Sequence, residues 1–194
     1  MKKFIGFYDY TVIITYLSII SAVVGMTLAS KGCFTGAIIC LFASGVCDAF
    51  DGMVARTKKN RSEDEKSFGI QLDSLCDVVS FGAFPAFLCY CMGANGVFGY
   101  ICICLFALCA VIRLAFFNVL ETKRQQVEEG TNKFYRGLPV TAISIIFPAI
   151  YLFHGLFKYS VFVGILHGML LVVAFLFVLD FRVKKFDLRK LFTK

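Results

Sequence analysis

Apolar runs long enough to cross a bilayer alternate along this chain with polar links. A hydrocarbon core about 30 Å thick needs about 20 predominantly apolar residues in helical form. The pattern predicts six such helices, at residues 10–29, 33–55, 70–92, 97–119, 138–155 and 159–180. The fifth is short and holds Pro139 and Pro148. The links near 30–32, 93–96 and 155–158 are tiny, whereas TKKNRSEDEKS (57–67) and ETKRQQVEEGTNKFYRG (121–137) are long and charged. The expected fold is therefore all-α. It is a polytopic membrane protein with six transmembrane helices in a single domain over residues 1–194 and no separate soluble domain. The opening MKKFIGFYDY carries charge, but no cleavage-site pattern follows a short apolar core, so a cleaved signal peptide is not expected.

Composition agrees with that reading. Hydrophobic residues make up 59% of the chain and charged residues 17%, against about a quarter charged in soluble domains. The mean hydropathy is +0.79. Charge then orients the helices. Cations gather at Lys2–Lys3, 56–66, 113–136 and 182–194, all on one side of the six-helix arrangement, and the other side has only Lys31 and Lys158. The cation-rich side is expected to be cytoplasmic, with both termini. The net charge of +7 then reflects topology and attraction to anionic lipid, and no nucleic-acid partner is expected. The tail FRVKKFDLRKLFTK alternates basic and apolar residues, as a segment lying against headgroups does. Nine cysteines lie almost entirely within the spans and are expected to be reduced packing residues.

Against this background four aspartates stand out. In the second span Ser44, Asp48, Asp51 and Ala55 follow one another at helical spacing and share a face; in the third, Gly69, Asp73 and Asp77 do the same. The two helices run antiparallel. At about 1.5 Å per residue, Asp51 and Asp73 fall at one depth and Asp48 and Asp77 one turn deeper, roughly 6–12 Å in from the helix ends. A charged residue at membrane depth costs at least about 2.5–3.5 kcal/mol. Four carboxylates packed together need protons or cations between them. Oxygen ligands suit Mg²⁺, Mn²⁺ or Ca²⁺, and neither histidine lies near the cluster in sequence, which disfavours zinc. Gly52 and Gly69 leave room beside the carboxylates, and Arg56, one turn beyond, is suited to gripping phosphate. Carboxylates, divalent ions, an arginine and small residues describe a site for a pyrophosphate ester. Two other readings remain: a polar cluster that only holds helices together, and a divalent-cation pathway. The outer halves of the spans are nearly all apolar, so a pathway lacks a continuing polar track.

Asp48-x-x-Asp51-Gly52-x-x-Ala55-Arg56 followed by Gly69-x-x-x-Asp73-x-x-x-Asp77 resembles the signature of the CDP-alcohol phosphotransferase family, with every fixed position filled. The gap between Arg56 and Gly69 is somewhat longer than usual, the extra residues being the charged NRSEDE region, expected as a loop. The resemblance implies a six-helix membrane enzyme, usually a homodimer, that transfers a substituted phosphate from a CDP-linked donor to an alcohol and releases CMP. It further implies that Asp48, Asp51, Asp73 and Asp77 bind two divalent cations, Mg²⁺ or Mn²⁺, with Asp77 also the general base. Gly52, Arg56 and Gly69 would line the CDP site, and Thr11 would retain one nucleotide contact, although DYTVII stands where the family often has Asn-Leu-Leu-Thr. SLCDVVSFGAFPAF (74–87), RLAFFNV (113–119) and FYRGLPVTA (134–142) look like the subfamily that uses CDP-diacylglycerol and L-serine, with Phe116 where an arginine is more usual. The catalytic helices then span about 33–92 and the acceptor side about 113–142. Serine carries a carboxylate, so Arg113, Lys133 and Arg136, with Asn118 as a hydrogen-bonding group, are the acceptor-binding candidates. Glycerol 3-phosphate and inositol phosphate are the other acceptors to weigh, and a cation transporter is the rival from another class.

Overall fold

The computed structural model describes residues 6–8, 10–55, 62–126 and 134–184 of the chain. Helix α1 (Ile13–Ser30) follows a 3-10 turn at Tyr10–Val12, and α2 (Phe34–Ala55) returns antiparallel to it. Next, α3 (Glu63–Asp77) continues through a π-helical turn at Val78–Ala83 into α4 (Phe84–Cys91), making one rod over Glu63–Cys91. The π turn has a local cause. Pro85 has no N–H and its ring crowds the carbonyl four residues back, and the preceding turn widens so that the Phe84 N–H donates to the Val79 carbonyl. Helix α5 (Val97–Gln126) crosses back and α6 (Ile143–Leu152) is short. Finally α7 (Tyr159–Val178) packs along α5, where Phe106 and Phe177 meet with ring centroids 5.6 Å apart.

Five of these helical stretches are long and apolar enough to cross a membrane: Ile13–Ser30, Phe34–Gly52, Glu63–Cys91, Val97–Leu120 and Tyr159–Val178. Their outer faces carry large exposed apolar side chains such as Leu17, Ile20, Ile39, Leu108 and Phe175, as lipid contact requires. The expected span at 138–155 is met by an apolar but shorter stretch, Val140–Leu156, whose regular helix holds Pro148 and runs only ten residues. A proline inside a helix removes one backbone hydrogen bond and kinks the chain.

Three further differences from the sequence pattern have physical reasons. The charged residues after 61 are not all loop. Ser62 caps α3 by accepting from the Glu65 N–H at 3.1 Å, Glu65 returns the favour at the Ser62 N–H, and three acidic residues occupy the first turn. That is a capping box on the favourable end of the helix dipole. Helix α5 continues past the expected boundary at 119 to Gln126. Short strands β1 (Phe134–Arg136) and β2 (Arg182–Lys184) form an antiparallel ribbon beyond α5 and α7, with Arg136 opposite Arg182. Gly137, at φ +74°, turns out of β1 and donates its N–H to the Phe181 carbonyl at 2.6 Å.

Small residues let α1 lie close on α2 and α4, as in other helix pairs inside lipid. The Ser44 hydroxyl donates to the Ser18 carbonyl at 2.9 Å and the Ser18 hydroxyl to the Ser44 carbonyl at 3.3 Å. One turn further from the α1 start, a Cβ on Gly25 would overlap the fully buried Phe84 ring and come within 2.9 Å of the Cys40 Cβ. On α7, a Cβ on Gly164 meets nothing within 4 Å. Gly25→Ala should therefore destabilise by about 1–3 kcal/mol through overpacking. Gly164→Ala should be neutral or stabilise by about 0.5–1 kcal/mol, since glycine weakens helix interiors. Unfolding of the two variants in detergent checks the contrast; equal stability would mean α1 does not approach α4 this closely.

Candidate active site

The four aspartates come from the C-terminal part of α2 and the middle of α3, whose antiparallel pairing sets their depths. Carboxylate oxygens of Asp48, Asp73 and Asp77 all lie within 4.8 Å of one another. Asp51 meets Asp73 and Asp48 meets Asp77, carboxyl group to carboxyl group, the two levels that helical rise places together. Asp77 is buried at 8% exposure, and the other three are partly exposed. The Thr15 hydroxyl of α1 donates to Asp51 Oδ2 at 3.3 Å.

This donor set fits a hard divalent cation. Ligand oxygens sit about 2.0–2.6 Å from such an ion, so oxygens sharing one lie up to about 4–5 Å apart. The Asp48–Asp73–Asp77 group meets that limit. Asp73 Oδ1 is buried without a hydrogen-bond partner, an arrangement that a cation would relieve. Among these ligands all donors are carboxylate oxygens, which suits Mg²⁺ or Mn²⁺ over zinc.

The surrounding candidates are placed as follows. Gly52 follows Asp51 on α2, and an added Cβ there meets nothing within 4 Å, so space is open beside the carboxylates. Gly69 lies one turn before Asp73 on α3, and Thr11 sits in the 3-10 turn that leads into α1. Arg56 and Lys133 lie outside the described residues, and Arg136 is in β1. On α5, Asn118 accepts a hydrogen bond from the Ser74 hydroxyl at 2.5 Å, which holds it beside α3 next to Asp73. Arg113 is buried at 7% exposure; its Nε donates to the Leu138 carbonyl at 3.1 Å and it is attracted to Asp180.

Thr15, Ser74 and Asp180 were not singled out by the sequence pattern. Thr15 had a readable signal, since it lies one turn after Thr11 on the same helical face. Ser74 is a polar residue directly after a signature aspartate. Asp180 gave no local signal; only the approach of α7 to α5 brings it to Arg113.

The cluster makes a thermodynamic prediction. Mg²⁺ or Mn²⁺ added to metal-stripped protein should raise its unfolding temperature, by the equivalent of about 2.7 kcal/mol at a hundredfold excess over Kd. Asp73→Asn removes one of the mutually repelling carboxylates, so the variant should be more stable than the parent without metal and respond less to it. A full metal response in Asp73→Asn would take Asp73 out of the ligand set.

The sequence profile of the CDP-alcohol phosphatidyltransferase family matches residues 11–180. Among curated proteins, the chain is 33% identical over 154 residues to an archaetidylserine synthase of Methanothermobacter thermautotrophicus, covering 78% of this chain and 61% of that protein. It is 38% identical over 105 residues to a CDP-diacylglycerol–serine O-phosphatidyltransferase of Saccharomyces cerevisiae, covering 53% of this chain and 37% of that one. A protein of the same name from Methanocaldococcus jannaschii is 30% identical over 172 residues, 89% of this chain and 73% of the relative. The chain thus spans less than two thirds of the first two relatives.

Proposed function

The chain belongs to the CDP-alcohol phosphatidyltransferase family, and from that premise we propose that it is a membrane transferase moving the phosphatidyl group of CDP-diacylglycerol to the hydroxyl of L-serine. The products are phosphatidylserine and CMP. The observation that carries the reading is the meeting of Asp48, Asp73 and Asp77 within 4.8 Å, inside the matched region. Serine is favoured as acceptor because relatives at 30–38% identity are named for serine transfer or for archaetidylserine synthesis.

In this reading Asp48, Asp51, Asp73 and Asp77 hold two divalent cations, Mg²⁺ or Mn²⁺, whose charge offsets that of the donor's pyrophosphate. Gly52 and Gly69 leave backbone room for the cytidine diphosphate, Arg56 grips a phosphate, and Thr11 contacts the nucleotide. Asn118, Lys133 and Arg136 form the acceptor side, and Arg113 serves it by holding Leu138, which fixes the segment that carries Arg136. Asp77 takes the proton of the serine hydroxyl. The serine oxygen bonds to the phosphorus that carries diacylglycerol, the bond from that phosphorus to the bridging oxygen breaks, and CMP leaves with the electron pair. Orientation and electrostatic stabilisation carry most of the acceleration. The helices about 33–92 and the segment 113–142 work as one domain. The protein is proposed to cross the membrane six times and act as a homodimer, with both termini and the aspartates on the cytoplasmic side.

Purified protein given CDP-diacylglycerol and Mg²⁺ or Mn²⁺ should release CMP with serine, and not with glycerol 3-phosphate, inositol or inositol phosphate. Asp77→Asn should lower that rate by about 10²–10⁴-fold while the protein stays folded. Release with a different alcohol would replace serine as acceptor. No release with any of them from folded protein would favour the cation-transport reading. Topology has its own check. Cys33, in the exposed turn between α1 and α2 at the end opposite the aspartates, should react with a membrane-impermeant maleimide applied outside intact cells. Labelling only after permeabilisation would invert the proposed orientation.

A further inference from the structure

Arg113 borders a cavity of about 330 Å³ between α5 and the end of α7. Ile112 and Phe116 of α5 form one wall, Phe177, Val178 and Leu179 the other, and Asp180 lies just beyond α7. This cavity is not part of the aspartate site. Helix α5 turns Ala110 and Asn118 toward the α3–α4 rod, where Gly82 and Ser74 meet them. At about 100° per residue, Ile112 and Phe116 lie roughly 160° around the helix from that face. Their exposures of 49% and 45%, with 47% for Val178, make the opening face the bilayer.

Its chemistry is unusual for a lipid-facing surface. The walls are apolar, yet one cation and one anion line the same space. An arginine at membrane depth is costly and marks a functional site by default. A guanidinium presents five N–H donors in one plane; Nε serves the Leu138 carbonyl, and the same plane borders the cavity. Asp180, two residues past the end of α7, stands at the edge of the apolar slab, where lipid headgroups lie. The complement of this pair is a zwitterion, an oxyanion for the guanidinium and an N–H-bearing ammonium for the carboxylate. A free amino acid and a lipid headgroup both offer such a pair. The apolar, bilayer-facing walls favour the lipid, because they take acyl chains and give a small polar zwitterion nothing to bind.

We propose that this cavity is a headgroup site for a membrane phospholipid with a primary ammonium beside its phosphate. Arg113 takes the phosphate, Asp180 takes the ammonium, and the chains run along Ile112, Phe116 and Val178. The site is separate from the proposed transfer reaction and stands whether or not serine is the acceptor.

The test is competition. The full-length protein in detergent is given equal amounts of phosphatidylethanolamine, phosphatidylcholine and phosphatidylglycerol with identical chains, and retained lipid is read by native mass spectrometry. Phosphatidylethanolamine should be retained about tenfold over each of the others, the equivalent of one strong charge-assisted hydrogen bond. The choline lipid has no ammonium N–H for Asp180, and the glycerol lipid has no cation. Asp180→Asn, at an exposed position beyond α7, should bring phosphatidylethanolamine to within about twofold of phosphatidylcholine, because a neutral amide holds an ammonium weakly. Val178→Trp should lower its retention by filling the cavity. Equal retention of the three lipids, or an ethanolamine preference unchanged in Asp180→Asn, would overturn the proposal. Displacement of the lipid by soluble phosphoethanolamine at equal concentration would also overturn it, assigning the site to a free zwitterion.

Discussion

Four carboxylates held against one another inside an apolar slab repel, and the rest of the bundle is built to keep them there. Asp48 and Asp51 cannot separate from Asp73 and Asp77 without α2 parting from the rod, because both pairs sit on regular helix rather than on loops. Helix α1 opposes that separation from behind. It meets α2 through the reciprocal Ser18–Ser44 hydrogen bonds and through Thr15 on Asp51, and it meets the rod through Gly25 beneath Phe84. None of these contacts tolerates a wider spacing. The stability of the pairing therefore comes from close approach of small residues, while the carboxylates oppose it, a division expected where a site is strained for its ligand and its scaffold compensates.

Helix α5 links this site to the lipid phase. One face is fixed to the rod by Asn118 on Ser74 and by Ala110 near Gly82. Another holds Arg113 against Leu138 and the end of α7. A displacement of α7 therefore acts on the same helix that positions Asn118 beside Asp73. The π turn at Val78–Ala83 adds to this arrangement, because it lies directly after Asp77 and packs on α5. Such turns are stable only where neighbours hold them.

How much of this was written in the chain differs element by element. The aspartate meeting was legible because helical rise alone matches Asp51 with Asp73 and Asp48 with Asp77. The capping box was also legible in Ser62 and Glu65, but the charge around them resembled a loop, and the rule for acidic residues at a helix start was the one that decided. Hydropathy found the long helices and failed at the sixth, because apolar composition does not register the break that Pro139 and Pro148 impose. The Asp180–Arg113 approach was illegible. It depends on where α7 ends relative to α5, a tertiary quantity with no periodic signature.

The short sixth helix has a consequence for the site. A Cβ on Gly45, one turn deeper than Asp48, would overlap Ser144 near the start of α6. The helix therefore begins at about the depth of the aspartates instead of at the membrane surface. Above that level the bundle lacks one helix, and residues 137–142 cross the gap as a turn. Three contacts keep that turn from collapsing inward: Gly137 N–H on the Phe181 carbonyl, Leu138 N–H on the Leu176 carbonyl and Arg113 on Leu138. At the other end the Thr35 and Tyr151 hydroxyls, 3.0 Å apart, fix α6 to α2 so that it cannot slide outward. A full-length helix at 138–155 would have buried the carboxylates behind lipid-facing side chains. The shortened one leaves them approachable from the end of the bundle where Gly52 already provides open space, which is the geometry a water-soluble acceptor and a membrane-bound donor both require.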